Sequence, residues 1–247
     1  MSKRAIVLAG GKGTRLRPYT DITPKPLMPI GAYPIIEIII QQLAYYGFSH
    51  ITIALNDRGQ LIQKYVGNGR KWNIKVDYSE ENTPLGTMGP LSLIPDLPEH
   101  FLIMNSDILT DINFSDFYDQ HISEDVLFSI SAFEQQESQA FGVLDVDEAG
   151  NLKDFREKPV KRVNVSMGIY MARYDILNRM PYNQPYGFDQ LVHRLISEKV
   201  SPKVQIHQGY WLDIGCPKDY QLACRQFEAK PEQFLHSFTQ QVHSFSK

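Results

Sequence analysis

The stretch "LAGGKGTRLRPYTDITPKPL", residues 8–27, combines glycines, cations and prolines directly after an apolar run. Gly10, Gly11 and Gly13 allow backbone N–H groups to approach an anion closely, and Arg15 and Lys25 supply positive charge. Proline on either side of Lys25 stiffens that segment. Residues 1–27 hold six cations, Lys3, Arg4, Lys12, Arg15, Arg17 and Lys25, against Asp21 alone, an imbalance suited to a polyphosphate. Two familiar phosphate loops do not fit. A P-loop needs Ser or Thr after its lysine, and Gly13 follows Lys12. The dinucleotide fingerprint needs a third glycine where Leu16 stands. Farther along, Asp107 ends "FLIMNSD" and Asp213 lies in "GYWLDIG". A lone aspartate at a strand end is ordinarily a cap or turn former. Two such carboxylates opposite a cationic loop make the basic arrangement of a metal-assisted phosphate site.

The elements that must position these groups can be read from the apolar pattern. β-Branched runs recur as "AIVLAG", "HITIALN", "NIKVDYS", "HFLIMNSD" and "VLFSISAF", separated by helix-like "PIIEIIIQQLAYYGF" and "FSDFYDQHI". Parallel neighbours need crossover connections, so this alternation predicts an α/β fold with a mainly parallel sheet covered on both faces. After residue 135 the rhythm changes: "FGVLDVDEAGNLKDFREKP" predicts a hairpin turning at Ala149–Asn151, and "VNVSMGIYMA" a further strand, giving a mixed sheet. In such sheets ligands sit beyond the carboxyl ends of the strands, where the glycine loop and both aspartates fall.

No linker, repeat or composition shift divides the chain, which reads as one domain, residues 1–247, with a polar helical tail from about Pro231. Phe234, Phe238, Val242 and Phe245 recur in that tail at roughly helical spacing and predict docking on the domain or on a homodimer partner. A formal charge of −3 with 43% hydrophobic residues excludes wholesale attraction to nucleic acid or to an acidic membrane. The longest apolar run is interrupted by Glu37 and two glutamines, short of a membrane span. Cys216 and Cys224 lack ligand-like spacing and read as free thiols, and the start "MSKRAIVLAGG" shows no signal-peptide pattern. A cytoplasmic location is expected. His193, in amphipathic "FDQLVHRLI", reads as a helix-surface or packing residue.

The signature "LAGGKGTRLRP" with "TPKPLMPIG" resembles that of the sugar-1-phosphate nucleotidyltransferases, or nucleotide-sugar pyrophosphorylases. The resemblance spans nearly the whole chain: "EENTPLGTMGPL", "MNSDIL", "FGVLDVD", "FREKP", "VSMGIYM", "FDQLV" and "GYWLDIGCPKDY" follow in the family's order. It implies a short member of the mannose/heptose-1-phosphate guanylyltransferase type, with a three-layer αβα Rossmann-like fold. The implied reaction joins an NTP and a sugar 1-phosphate, releasing pyrophosphate. By resemblance, Leu8, Gly10, Gly11, Gly13, Thr14 and Arg15 bind the nucleotide, and Lys25 bridges its α-phosphate and the sugar phosphate. Arg15, Lys25 and Asp107 are the implied catalytic residues, and Asp107 and Asp213 the pair for Mg²⁺. Lys158 in "EKP" is implied to meet the sugar phosphate, Glu157 the sugar hydroxyls, and Gly142, Ser166, Met167 and Gly168 to line the sugar pocket. Many members have Asn-Ala-Gly at 166–168 and glycine in place of Ser106, so the pattern leaves the sugar open.

Glu81, five residues before Gly86, stands where members contact the base edge, and a carboxylate accepts well from guanine N1–H and N2–H₂. GTP is therefore favoured, with Glu80 as an alternative contact and uracil or thymine still open. Two other readings stand beside this one. One replaces the sugar phosphate with phosphocholine or a molybdopterin; the other is a regulatory subunit that binds nucleotide-sugar without turnover. "FREKP" with "VSMGIY" favours a sugar, and retention of Arg15, Lys25, Asp107 and Asp213 favours turnover.

Overall fold

The described residues of a computed structural model, 3–56 and 59–235, run through β1 (Lys3–Leu8), α1 (Tyr19–Ile22), β2 (Pro29–Ile30), β3 (Tyr33–Pro34), α2 (Ile35–Tyr45), β4 (Phe48–Leu55), α3 (Gln60–Val66), β5 (Lys75–Glu80), β6 (His100–Asn105) and β7 (Ile108–Thr110). There follow α4 (Phe114–Ser123), β8 (Phe128–Ser138), β9 (Val143–Val146), β10 (Leu152–Arg156), β11 (Val160–Arg173), α5 (Phe188–Ser197), β12 (Lys203–His207), β13 (Trp211–Asp213), α6 (Pro217–Ala229) and α7 (Pro231–Phe234). Seven strands form one twisted sheet in the order β12-β8-β11-β6-β1-β4-β5. β1 pairs in parallel with β4 and β6, β4 with β5, and β12 with β8. β11 alone runs antiparallel, between β6 and β8. The predicted mixed, mainly parallel sheet is thus observed.

Period-two alternation divides the core between the two faces of the sheet. Ala5 and Val7 of β1, Leu102 and Met104 of β6, and Ile169 and Met171 of β11 face a cluster shared with α2, α3, α4 and α6. Ile6, Phe101, Ile103, Tyr170 and Ala172 face the other way, onto Leu191 and Leu195 of α5 and Met88 and Leu91. The result is helix, sheet, helix. α2 carries the apolar run expected to be a buried helix; its interrupting Glu37 is held by Lys71 Nζ at 2.6 Å and by the Tyr65 hydroxyl. Asn113 caps α4, its Oδ1 accepting from Ser115 N at 3.0 Å and Asp116 N at 3.1 Å.

The hairpin expected after residue 135 is present as β9 paired with β10, standing apart from the main sheet. Its turn is stabilised by Asp147, whose carboxylate accepts from Ala149 N and Asn151 N. α7 is a single short turn, and Phe234 within it is fully buried, stacked on Phe227 at 5.9 Å and against Tyr210 at 5.4 Å. That part of the tail docks on the chain itself. Phe238, Val242 and Phe245 lie outside the described residues.

Candidate active site

A cleft of about 660 Å³ opens beyond the carboxyl ends of β1, β4 and β6, where Leu8, Ala54 and Asn105 contribute to its wall. This is the point from which parallel strands depart on both sides of β1, the usual ligand position in open α/β sheets. The glycine loop forms one lip: Gly10, Gly11, Lys12, Gly13, Thr14 and Arg15 all line the cleft, as do Lys25 and Asp107. Gly13 has φ +62°, a left-handed conformation that a side chain disfavours, and its carbonyl accepts from Thr20 Oγ1 at 2.8 Å and Leu16 N at 3.0 Å. A methyl group on Gly13 would lie 3.4 Å from Lys25 Cβ, so the loop folds directly onto the proline-flanked lysine. Asn56 Nδ2 donates to the Gly10 carbonyl at 2.7 Å, fixing the loop to the end of β4.

The carboxylates are brought together by a two-stranded ribbon. β7 and β13 pair antiparallel, with Ile108 opposite Asp213, and Ile214 N donates to the Asp107 carbonyl at 2.9 Å. Asp107 Oδ2 is paired with Lys25 Nζ, whereas Asp107 Oδ1 is buried and has no hydrogen-bond partner among the described residues. Burial, and then the charge of Asp107, pushes the Asp213 carboxyl above the usual carboxylate range, against the pull of Lys25 and Arg15. Two mutually repelling carboxylates with an unbonded buried oxygen form a hard donor set of the kind a divalent cation takes. No group of three or more His, Cys, Asp or Glu is placed to hold a metal among the described residues. The pair therefore suits an ion that keeps several waters and takes its other ligands from a phosphate. Arg15 has no ion pair among the described residues; a methyl group on Gly215 would lie 3.5 Å from its Nη1 and 3.2 Å from Asp213 Oδ2. The guanidinium thus stands beside the carboxylates and at the lip of the cleft.

Glu81, beside Gly10, and Gly86 also line the cleft, with Asn82, Thr83 and Thr87. Glu81 Oε2 accepts from Leu85 N at 3.0 Å, and burial raises its carboxyl above the ordinary value. Glu80 points elsewhere, accepting from Gln63 Nε2 at 2.5 Å and lining a separate depression on β5. Between the two alternatives only Glu81 reaches the cleft.

The residues expected around a sugar are placed differently. Gly168, in a bulge of β11 at φ +72°, abuts the cleft floor: a methyl group there would lie 2.6 Å from Asn105 Nδ2. Ser166 Oγ accepts from Gly168 N at 3.3 Å, while Met167 turns inward, 1% exposed, its sulfur accepting from Ser131 Oγ. Gly142, Glu157 and Lys158 lie on the exposed β9–β10 arm and do not line this cleft. Glu157 and Gly142 are neighbours there, with Glu157 Oε2 3.2 Å from a methyl on Gly142. Sequence reasoning did not single out Asn56, Asn105 or Gly215, all of which line the cleft. Asn105 immediately precedes the Ser106–Asp107 pair, and a polar residue ending an otherwise apolar strand was its available signal. His193 takes no part in the cleft.

A family model described as "Nucleotidyl transferase" matches residues 4–230. The chain is 33% identical over 224 residues to the mannose-1-phosphate guanylyltransferase catalytic subunit beta of Drosophila pseudoobscura pseudoobscura, covering 88% of this chain and 60% of that protein. It is 34% identical over 224 residues to the same-named protein of Dictyostelium discoideum, covering 88% and 62%. The chain therefore spans about 60% of the length of these curated relatives. Among solved structures, HddC from Yersinia pseudotuberculosis, crystallised with GMP-PN, is similar with a TM-score of 0.70 and 26% identity, covering 91% of this chain and 99% of that one. With the fold, the cleft and the family match agreeing over residues 4–230, the chain belongs to the nucleotidyl transferase family.

Proposed function

We propose that the chain transfers a nucleotidyl group from an NTP to a sugar 1-phosphate, giving an NDP-sugar and pyrophosphate, with GTP as the favoured donor. The observation that carries this reading is the meeting, in one cleft, of the glycine loop, Lys25 and Asp107, with Asp213 brought next to Asp107 by the β7–β13 ribbon. An oxygen of the sugar phosphate attacks the α-phosphorus in line, and the bond from that phosphorus to the bridging oxygen of the β-phosphate breaks. Both reactants are anions, so the difficulty is electrostatic: like charges must meet, and charge builds on the leaving pyrophosphate. In this assignment the N–H groups of Gly10, Gly11, Gly13 and Thr14, with Leu8 beneath, cradle the triphosphate. Arg15 faces the pyrophosphate as it leaves, and Lys25 lies between the α-phosphate and the incoming phosphate. The attacking oxygen is already ionised at neutral pH, so no histidine base is needed.

Asp107 and Asp213 would hold Mg²⁺, which neutralises phosphate charge when bound; the unbonded Asp107 Oδ1 supports that assignment. Lys25 would exchange its carboxylate partner for phosphate oxygens. Glu81, near Gly86, accepts from guanine N1–H and N2–H₂; the similarity to guanylyltransferases and the GMP-PN complex of HddC support that choice of base. Gly142, Glu157, Lys158, Ser166 and Gly168 form the sugar-phosphate side, with the exposed arm bringing Glu157 and Lys158 to the bound substrate. We place this activity in the cytoplasm, carried by residues 1–247 as one domain; no described helix is long and apolar enough to cross a membrane.

A matrix of NTPs against a panel of sugar 1-phosphates, mannose 1-phosphate among them, tests the reading by Mg²⁺-dependent pyrophosphate release. Release with GTP and at least one sugar 1-phosphate is expected. Binding of nucleotide-sugar with no release in any combination would replace the enzyme with a sensor, and release with UTP or dTTP alone would overturn the choice of base.

A further inference from the structure

β6 is apolar and buried from Phe101 to Met104, and then turns polar. Asn105 ends the strand, Ser106 follows it, and both line the cleft immediately before Asp107. Asn105 is half-buried and Ser106 is 7% exposed. Neither side chain has a hydrogen-bond partner among the described residues, and neither is sealed away from the cleft. Polar groups at such depth are ordinarily paired within the protein, so an amide and a hydroxyl left open at the end of a buried strand point to a partner from outside. The Asn105 amide is held by shape rather than by hydrogen bonds. Gly168, at φ +72° in the β11 bulge, has no side chain, and a methyl group there would lie 2.6 Å from Asn105 Nδ2 and 3.1 Å from its Cγ. The carboxamide therefore rests on the bare face of Gly168.

Strand order indicates what the amide meets. The sheet runs β11-β6-β1-β4-β5, with the glycine loop leaving β1 in the middle. Glu81 lies on the β4 and β5 side, its N–H donating to the Leu55 carbonyl at 3.0 Å and its carboxylate beside Gly10. Asn105 lies on the other side of β1, level with Leu8, and its amide leans away from β1 toward β11. In the transfer reaction proposed above, on which this assignment rests, the base meets Glu81 and the phosphates meet the glycine loop. The group that reaches β6 and the β11 bulge is then the sugar beyond the phosphates. An amide offers one acceptor and one donor side by side, the pair a hydroxyl takes. We propose that Asn105 is a specificity-determining residue whose carboxamide hydrogen-bonds one hydroxyl of the transferred sugar. The site thereby selects a sugar 1-phosphate bearing that hydroxyl over the deoxy sugar that lacks it, because the analogue leaves the amide unpaired.

Pyrophosphate release from GTP tests this, with the sugar 1-phosphate that the wild type turns over best and with each of its monodeoxy analogues. On one analogue the wild type should lose about 5- to 100-fold in kcat/KM. Asn105→Leu, close in shape, should lose as much on the parent sugar and nothing more on that analogue, while keeping the wild-type ratios on the others. KM for GTP should stay within about twofold, and the thermal unfolding midpoint should hold, because no hydrogen bond within the chain is lost. Asn105→Ala, which removes the amide without filling its place, should repeat the pattern. Variants that still discriminate against every analogue as the wild type does would overturn the proposal while leaving the transfer reaction standing. So would discrimination lost between GTP and dGTP instead, since the amide would then face the ribose. A wild-type chain that releases pyrophosphate with no sugar 1-phosphate would remove the transfer reading and this assignment with it.

Discussion

Replacing Glu81 by Gln is the sharpest test of how the cleft selects a base. The Glu81 carboxylate is held from one side, by Leu85 N on Oε2 at 3.0 Å. Its Oε1 faces the glycine loop, 2.9 Å from where a methyl on Gly10 would stand. Glutamine keeps the shape, and its carbonyl oxygen can still accept from Leu85 N–H. The amide NH₂ then occupies the position of Oε1 and offers a donor to guanine N1–H or N2–H₂, itself a donor. One charge-assisted hydrogen bond is worth about 1.5–3 kcal/mol, so kcat/KM for GTP should fall about 10- to 100-fold. ATP and UTP, which do not present paired donors, should change by less than about threefold. The unfolding midpoint should move by no more than about 2 °C, since the loop contact survives. Steady-state pyrophosphate release with each NTP at a fixed sugar 1-phosphate reads these ratios. An equal loss for GTP and UTP, or no loss with either, would refute a base contact at Glu81.

Other outcomes follow from the same geometry. Gly168→Ala must hold a side chain at φ +72° with its methyl 2.6 Å from Asn105 Nδ2, and should cost about 1–3 kcal/mol in chemical denaturation. Asp213→Asn should lower turnover by about 10²–10³ without lowering stability at pH 7. The carboxyl of Asp213 is raised by burial and Asp107, so the native state binds more protons than the unfolded state just above the ordinary carboxylate range. Its contribution therefore declines as pH rises through that window, and denaturation profiles of the Asn variant should lack this decline. His121 is fully buried, with Nδ1 at 2.8 Å from Ser129 Oγ, and burial lowers its pKa from 6.5 to about 4. The stability it confers should be complete above pH 6.5 and fade toward pH 4, by up to about 3 kcal/mol, with the slope reduced in His121→Leu.

The alternation of apolar strands with helices was legible because parallel strands must be buried on both sides, and β1, β4 and β6 carry long β-branched or apolar runs. The glycine loop was legible because anion binding demands small residues and cations within a few positions. What brings Asp107 to Asp213 was not legible. β7 and β13 are three residues each, too short for any periodicity to register, and their pairing joins residues about a hundred positions apart. The choice between Glu80 and Glu81 was a question of strand parity. The mixed polar sequence of β5, "KVDYSE", leaves that parity open until Glu80 is seen on Gln63. Asn56 and Asn105 stand out in the sequence only as polar residues that end apolar runs, and their placement at the ends of β4 and β6 is what brings them to the cleft. Gly142, Glu157 and Lys158 occur in the expected order, yet the arm that carries them stands clear of the cleft.

The most direct test of the account is to follow the α-phosphate of GTP. With Mg²⁺, mannose 1-phosphate or another accepted sugar 1-phosphate, and GTP labelled at the α-phosphorus, the label should appear in the NDP-sugar. Pyrophosphate should form in equal amount, and Asp107→Asn should suppress both products together. Label remaining in GTP or GDP, with orthophosphate released from the γ-position, would contradict nucleotidyl transfer at this cleft.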